Sequence, residues 1–190
     1  MNDTSLPLPR PLRVPRRALV AAVPALAGAL AVTLALVLLS SSGSGRPATP
    51  ARFTAPGHAF SVVLPPGWRA VAPRELAALP SRPAAVLRRA DHRGLVVVQR
   101  IAPIKADARS LTRSLTKRLR ARLGDVKVAG ARLVTLRRGT AYVYTFVRGA
   151  TVQSVAVVAS ARATYAINAV VAGSAPDVAR QVGEIVGSFS

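Results

Sequence analysis

The sequence predicts an α+β domain over residues 53–190, in which an antiparallel β-sheet carries helices on both faces (an α/β/α sandwich), behind one N-terminal transmembrane helix. Three observations carry that prediction. Residues 132–173 contain runs of seven to ten residues rich in Val, Thr and Tyr, parted by turn signals at Arg138-Gly139, Arg148-Gly149 and residues 160–162. That is the pattern of a meander of hairpins. The second run is apolar on both sides, with Tyr142, Tyr144 and Phe146 on one and Ala141, Val143 and Val147 on the other, so the sheet needs cover on each face. Ahead of the domain, residues 18–39 run without a charge, long enough to cross a bilayer as a helix.

A helix is the form expected in lipid because it satisfies every backbone amide internally. Pro24 falls in the first two turns of the run, where one lost hydrogen bond is tolerable. Arg10, Arg13, Arg16 and Arg17 precede the run against the single acid Asp3, and only Arg46 and Arg52 follow at similar distance. The positive-inside bias places residues 1–17, a basic Pro-rich tail, in the cytoplasm and the C-terminal domain outside the cell membrane. The alternative is a cleavable secretory signal, cut near residues 40–42, which would release a secreted soluble protein. Its apolar region would run about 7–15 residues, shorter than the run here. A buried helix of a soluble protein is the third reading. Residues 40–52, SSSGSGRPATPAR, mix Gly/Ser flexibility with proline and read as a tether.

Within the domain, residues 60–64 form a short apolar strand that Pro65-Pro66-Gly67 ends, and residues 68–71 resume extended structure. Pro73 suits the first turn of a brief helix to Leu79, closed by Pro80 and Pro83. Residues 84–89 and 95–102 are the next strands, joined by the turn-rich segment 90–94. Asp107 can cap a helix running to about Leu123 and Gly124. Its Leu111, Leu115, Leu119 and Leu123 make one apolar stripe, which should lie on the sheet. After the meander, Ser174 caps a final helix, with Asp177 completing a capping-box-like pair. Val178, Val182, Ile185 and Phe189 give that helix its buried face.

Composition excludes several chemistries. The chain has no cysteine, hence no disulfide, no thiolate metal site, no cysteine nucleophile and no lipid-modified N-terminus. In an extracytoplasmic protein this favours a bacterial source. Two histidines, six acids in the domain, no G-x-S-x-G elbow and no phosphate-binding glycine pattern disfavour a zinc centre and an enzyme, and imply no cofactor. Asp91-His92 reads as a turn pair, and His58 sits in a loop at the start of the domain. The formal charge is +20, from 27 basic and 7 acidic residues; only +4 of it precedes residue 51. Arginine-rich composition fits a GC-rich genome, and the shortage of acids fits an anionic contact such as lipid headgroups or cell-wall polymer. Nucleic acid is not expected as a partner, because the inferred compartment is wrong and surface aromatics are few.

Two places are candidate contacts. Arg109, Arg113, Lys117 and Arg120 cluster on the helix side opposite the leucine stripe, as either a solubilising face or an anionic-surface contact. Trp68, the single tryptophan, is a candidate cleft residue, with a buried plug against the sheet edge as the competing reading.

Phe60-Ser61-Val62 leading into Leu64-Pro65-Pro66-Gly67-Trp68, then a helix, a long meander, and a last helix ending Ile185-Val186-Gly187-Ser188-Phe189, is a pattern that resembles the PsbP-like and Mog-type sandwich family. That family also includes DcrB and actinobacterial lipoproteins of the LpqN kind. The resemblance implies an antiparallel sheet flanked by helices and little about chemistry. Unlike the lipoprotein members this chain has no cysteine to acylate, so residues 18–39 would do the anchoring. The expectation is a membrane-anchored, extracytoplasmic accessory or binding domain at a bacterial envelope, with an envelope protein or anionic polymer as partner. Ligand and oligomeric state stay open.

Overall fold

The computed structural model describes residues 49–58, 60–77, 79, 81–104, 107–124, 126–136, 139–159, 163–173 and 175–190. The expected transmembrane helix at 18–39, the tail at 1–17 and most of the tether lie outside the described residues. Among those described, no helix is long and apolar enough to cross a membrane.

The described residues form nine strands and three helices in the order β1 Ala51–Thr54, β2 Ser61–Leu64, β3 Trp68–Ala70, α1 Pro73–Ala77, β4 Ala85–Arg89, β5 Gly94–Ile101, α2 Ala108–Leu123, β6 Lys127–Leu136, β7 Gly139–Arg148, β8 Thr151–Ala159, β9 Thr164–Ala172 and α3 Pro176–Gly187. Seven strands form one sheet in the order β3-β4-β5-β9-β8-β7-β6, with every pairing antiparallel. Strands β6 to β9 are the expected meander, and β9 returns to the middle of the sheet beside β5. β1 and β2 form a separate two-stranded sheet.

Side chains alternate across the sheet, and each face has its own cover. On the first face Val96, Val98, Tyr165, Ile167, Ala156 and Ala141 pack against Val178, Val182, Ile185 and Val186 of α3 and against Val62 and Leu64 of β2. The first and last stretches of the domain meet there. Phe60 stacks on Phe189 with ring centroids 4.8 Å apart and meets Tyr165 edge-on at 5.0 Å. Ser61 and Ser190 exchange backbone hydrogen bonds of 2.9 and 3.0 Å. On the second face Leu111, Leu115 and Leu119 of α2 pack onto Tyr142, Tyr144, Phe146, Val155, Val157 and Ala166, while Leu76 and Leu79 cover Val86, Leu95 and Val97.

The structure differs from expectation at four places. Ala51 and Arg52, expected in the tether, already belong to β1, which is held by pairing with β2. The first meander strand begins at Lys127 rather than at Arg132; a bulge between Val128 and Gly130 lets it continue past the glycine. That strand is exposed along most of its length, so cover on both faces holds for β5 and β7 to β9 and not for β6. The N-cap of α3 is Ala175, with no side-chain cap and Pro176 in the first turn. Asp177, in the first turn, pairs with Arg89 at 2.8 Å; Ser174 lies outside the described residues.

Candidate functional site

The cationic cluster is built by α2. Asp107 starts the helix by accepting the Ser110 N–H at 2.8 Å, which holds its carboxyl below the usual carboxylate range. Gly124 ends it in a positive-φ conformation, donating its N–H to the Arg120 carbonyl. Two hydroxyl pairs set its height and direction on the sheet. Tyr142 meets Thr112 Oγ1, and Tyr144 meets Thr116 Oγ1 at 2.8 Å. Each threonine hydroxyl donates to the carbonyl one turn back, Ala108 and Thr112 respectively, so the tyrosines act as donors. Four helical residues rise about 6 Å and two strand residues about 6.6 Å, which is why the pairs stay in step and α2 runs along β7. Burial raises the pKa of the Tyr142 hydroxyl, keeping it a proton donor.

With the leucine stripe on the sheet, Arg109, Arg113, Lys117 and Arg120 all stand exposed on the outer side, as the periodicity requires. The helix contains no acid. From Ala108 to Ala172 the sequence has one acid, Asp125, against a dozen basic residues. Of the acids outside that stretch, Asp91 and Asp177 pair with Arg89, Glu184 pairs with Arg180, and Asp107 caps α2. A cationic surface therefore spans α2 and the β6 side of the sheet, and its exposed arginines and lysine are suited to contact with anions.

Of the two readings of Trp68, its surroundings match the buried plug. It is 6% exposed, its indole N–H donates to Gln181 Oε1 at 2.8 Å, and its ring lies over Gly94, which has no side chain to displace it. Trp68 sits opposite Arg89 on β4, and both reach α3. The tryptophan is a structural plug between the sheet edge and α3, on the face away from α2. Asp91 and His92 form the expected turn. Asp91 Oδ1 accepts the Arg93 N–H at 3.0 Å, and His92 takes a φ of 59°. His58 lines an open, mostly apolar cleft of about 560 Å³ at the β3 edge, together with Phe53, Val71, Leu76 and Arg82. Among the described residues no three His, Asp or Glu side chains converge as metal ligands.

One residue escaped the sequence reading. Asn168, 3% exposed in the middle of β9, has neither amide atom hydrogen-bonded among the described residues. It lies between Val97 and Val155, under the seam between α1 and α2. The available signal was an asparagine inside the otherwise apolar TYAINAVVA.

The element order and the two covers can now be set beside known structures. No family model matches the chain, and no curated protein matches it in sequence. Solved structures do. The solution structure of cyanobacterial PsbP (CyanoP) from Synechocystis sp. PCC 6803 superposes with a TM-score of 0.55 at 18% identity, covering 80% of this chain and 98% of that one. The chain has a PsbP/Mog-like fold. Mog1, solved as a point mutant, gives 0.52 at 13% identity, over 75% of this chain and 96% of that one. LpqN of Mycobacterium tuberculosis gives 0.46 at 16% identity, over 75% and 88%. These likenesses concern the PsbP/Mog-like fold alone. The phenylalanines that opened and closed the sequence pattern, Phe60 and Phe189, are the stacked pair that closes the first face.

Proposed function

We propose that this PsbP/Mog-like domain is a non-enzymatic binding or accessory module, anchored by residues 18–39 on the outer side of a bacterial cell membrane, that rests on an anionic surface through α2. The observation that carries the reading is the exposed cluster Arg109, Arg113, Lys117 and Arg120 on a helix without an acid. A basic group close to an anionic membrane contributes about 1 kcal/mol, so four amount to roughly 4 kcal/mol, near a thousandfold in partitioning. A tether reaching from the bilayer to β1 would raise the effective concentration of the domain at the surface, so that even a weak, salt-screened attraction would count. The engagement of Asp91 by Arg89 and the Arg93 N–H supports a structural rather than catalytic role for the Asp91-His92 pair.

Two measurements test the reading. Protease treatment of intact cells should remove a C-terminal epitope; protection would overturn the topology, and recovery of the domain in the medium would favour signal cleavage. Residues 49–190 should co-sediment with phosphatidylglycerol vesicles in a salt-sensitive manner that fades when the four basic residues become Gln. Salt-independent binding, or none, would remove the surface role.

A further inference from the structure

We infer that strand β6 is a docking edge for an extended acidic polypeptide, which adds to the sheet as an eighth strand. The sheet ends on one side in β3, three residues long, and on the other in β6, ten residues long. Among the described residues β6 pairs with β7 alone, which leaves its outer row of N–H and C=O groups without a strand partner there. From Gly130 to Leu136 the pairing with β7 runs without interruption, giving seven regular residues on which a further strand can form. The residues are KVAGARLVTL, free of proline and acid. Leu133 is 64% exposed and Val128 38%. A long exposed edge of this kind is a template for strand addition.

Charge selects the occupant. Lys127 and Arg132 stand exposed on the edge itself. Leu133 and Ala131 pair with Tyr142 and Tyr144, so they share the face covered by α2. The tyrosines bond Thr112 and Thr116; within about 60° of Thr116 round the helix come Arg109, Arg120 and Arg113. An added strand lies about 4.8 Å outside β6. Its side chains on one face would approach those three arginines, and on the other Arg132. Acidic residues at alternate positions match the arginines, while apolar ones match Leu133 and Val134. A second copy of this chain would bring the same cations into register, and residues 1–17 are basic too, so like charge opposes both. A lipid bilayer is the poorer fit for this edge, because open backbone groups are costly in hydrocarbon.

The test uses the full chain in neutral-detergent micelles and three synthetic ten-residue peptides: alternating Glu and Val, alternating Lys and Val, and the Glu-Val sequence N-methylated at every second residue. The Glu-Val peptide should bind and slow amide exchange across residues 130–136. The N-methylated peptide keeps the charge and loses the ladder, so it should bind at least tenfold more weakly; the Lys-Val peptide should not bind. Equal affinity for the methylated and unmethylated peptides, or protection confined to α2, would overturn the proposal. So would protection, without peptide, of the β6 amides that point away from β7, which would assign the edge to a second copy if it grows with concentration and to the chain's own N-terminal segment if it does not. Replacing the four α2 basic residues with Gln weakens peptide and vesicle binding alike. Methylation touches the peptide alone, so the two readings fail separately. Arg132→Glu should cut Glu-Val affinity severalfold and leave vesicle binding through α2 largely intact; unchanged peptide affinity would count against the edge.

Discussion

Gly94→Ala isolates the contact that holds α3 to the sheet edge. A Cβ at residue 94 would stand 2.7 Å from two carbons of the Trp68 ring and 2.9 Å from Val178 Cγ1. Neither neighbour can retreat freely, since the indole is buried and pinned by Gln181 and Val178 is fully buried on α3. Overpacking of this kind costs about 1–3 kcal/mol, offset by roughly 0.5–1 kcal/mol from replacing glycine in a strand. The net loss should be about 1–2 kcal/mol, or a melting temperature lower by roughly 3–8 °C for a domain of this size. Trp68 is the only tryptophan, so its fluorescence reports both the unfolding transition and the displacement of the ring, which should shift emission to the red. Trp68→Phe removes the ring atoms that the new methyl meets. In the double variant the cost of Gly94→Ala should therefore shrink, with a coupling above about 1 kcal/mol followed by circular dichroism. An unchanged melting temperature and emission in Gly94→Ala, or strict additivity in the cycle, would refute the packing argument.

Other substitutions probe separate parts of the molecule. Asn168→Leu should raise stability by about 1–3 kcal/mol in a denaturant titration, because an apolar side chain replaces a buried amide without partners among the described residues; destabilisation would show that the amide is satisfied by water or ligand. Tyr142→Phe and Tyr144→Phe should each cost roughly 1 kcal/mol by removing the donor to Thr112 or Thr116, and chemical denaturation measures it. Arg89 holds the Asp177 carboxyl below the usual carboxylate range. The folded pKa is therefore the lower one, and the stabilisation is present above the ordinary carboxylate pKa and lost as pH falls through the depressed value. Asp177→Asn should lower stability at neutral pH and flatten the acid limb of a stability-versus-pH curve, where an unaltered limb would exclude the pair.

Much of the fold was legible because burial wrote it in periodic form. The leucine stripe of α2 and the two-sided runs of β7 to β9 could satisfy their apolar surface in one way only, with a covered sheet. β1 was missed because ARFT follows a Gly/Ser/Pro stretch and is stabilised by pairing with β2, not by its own pattern. The start of β6 was hidden by Gly130 and by a bulge that breaks alternation. The α3 cap moved by one residue because Pro176 fixes the first turn, in which Asp177 pairs with Arg89. At the candidate site, helical spacing put all four α2 basic residues on one exposed side. It carried no information on Trp68, whose burial depends on Gly94 and Gln181, far along the chain. Nor did it register the open edge of β6, which exists only once strand order is known.

The most direct measurement of surface docking uses the absence of cysteine. A single fluorophore attached through Lys117→Cys on α2, or through Ala179→Cys on the exposed side of α3, can be followed in the full chain reconstituted into vesicles carrying a headgroup quencher. In phosphatidylglycerol vesicles the α2 label should be strongly quenched at low salt and released at high salt, with little change at α3. In neutral vesicles neither label should respond. Equal quenching at both positions, or an α2 signal indifferent to lipid charge and salt, would contradict docking through α2.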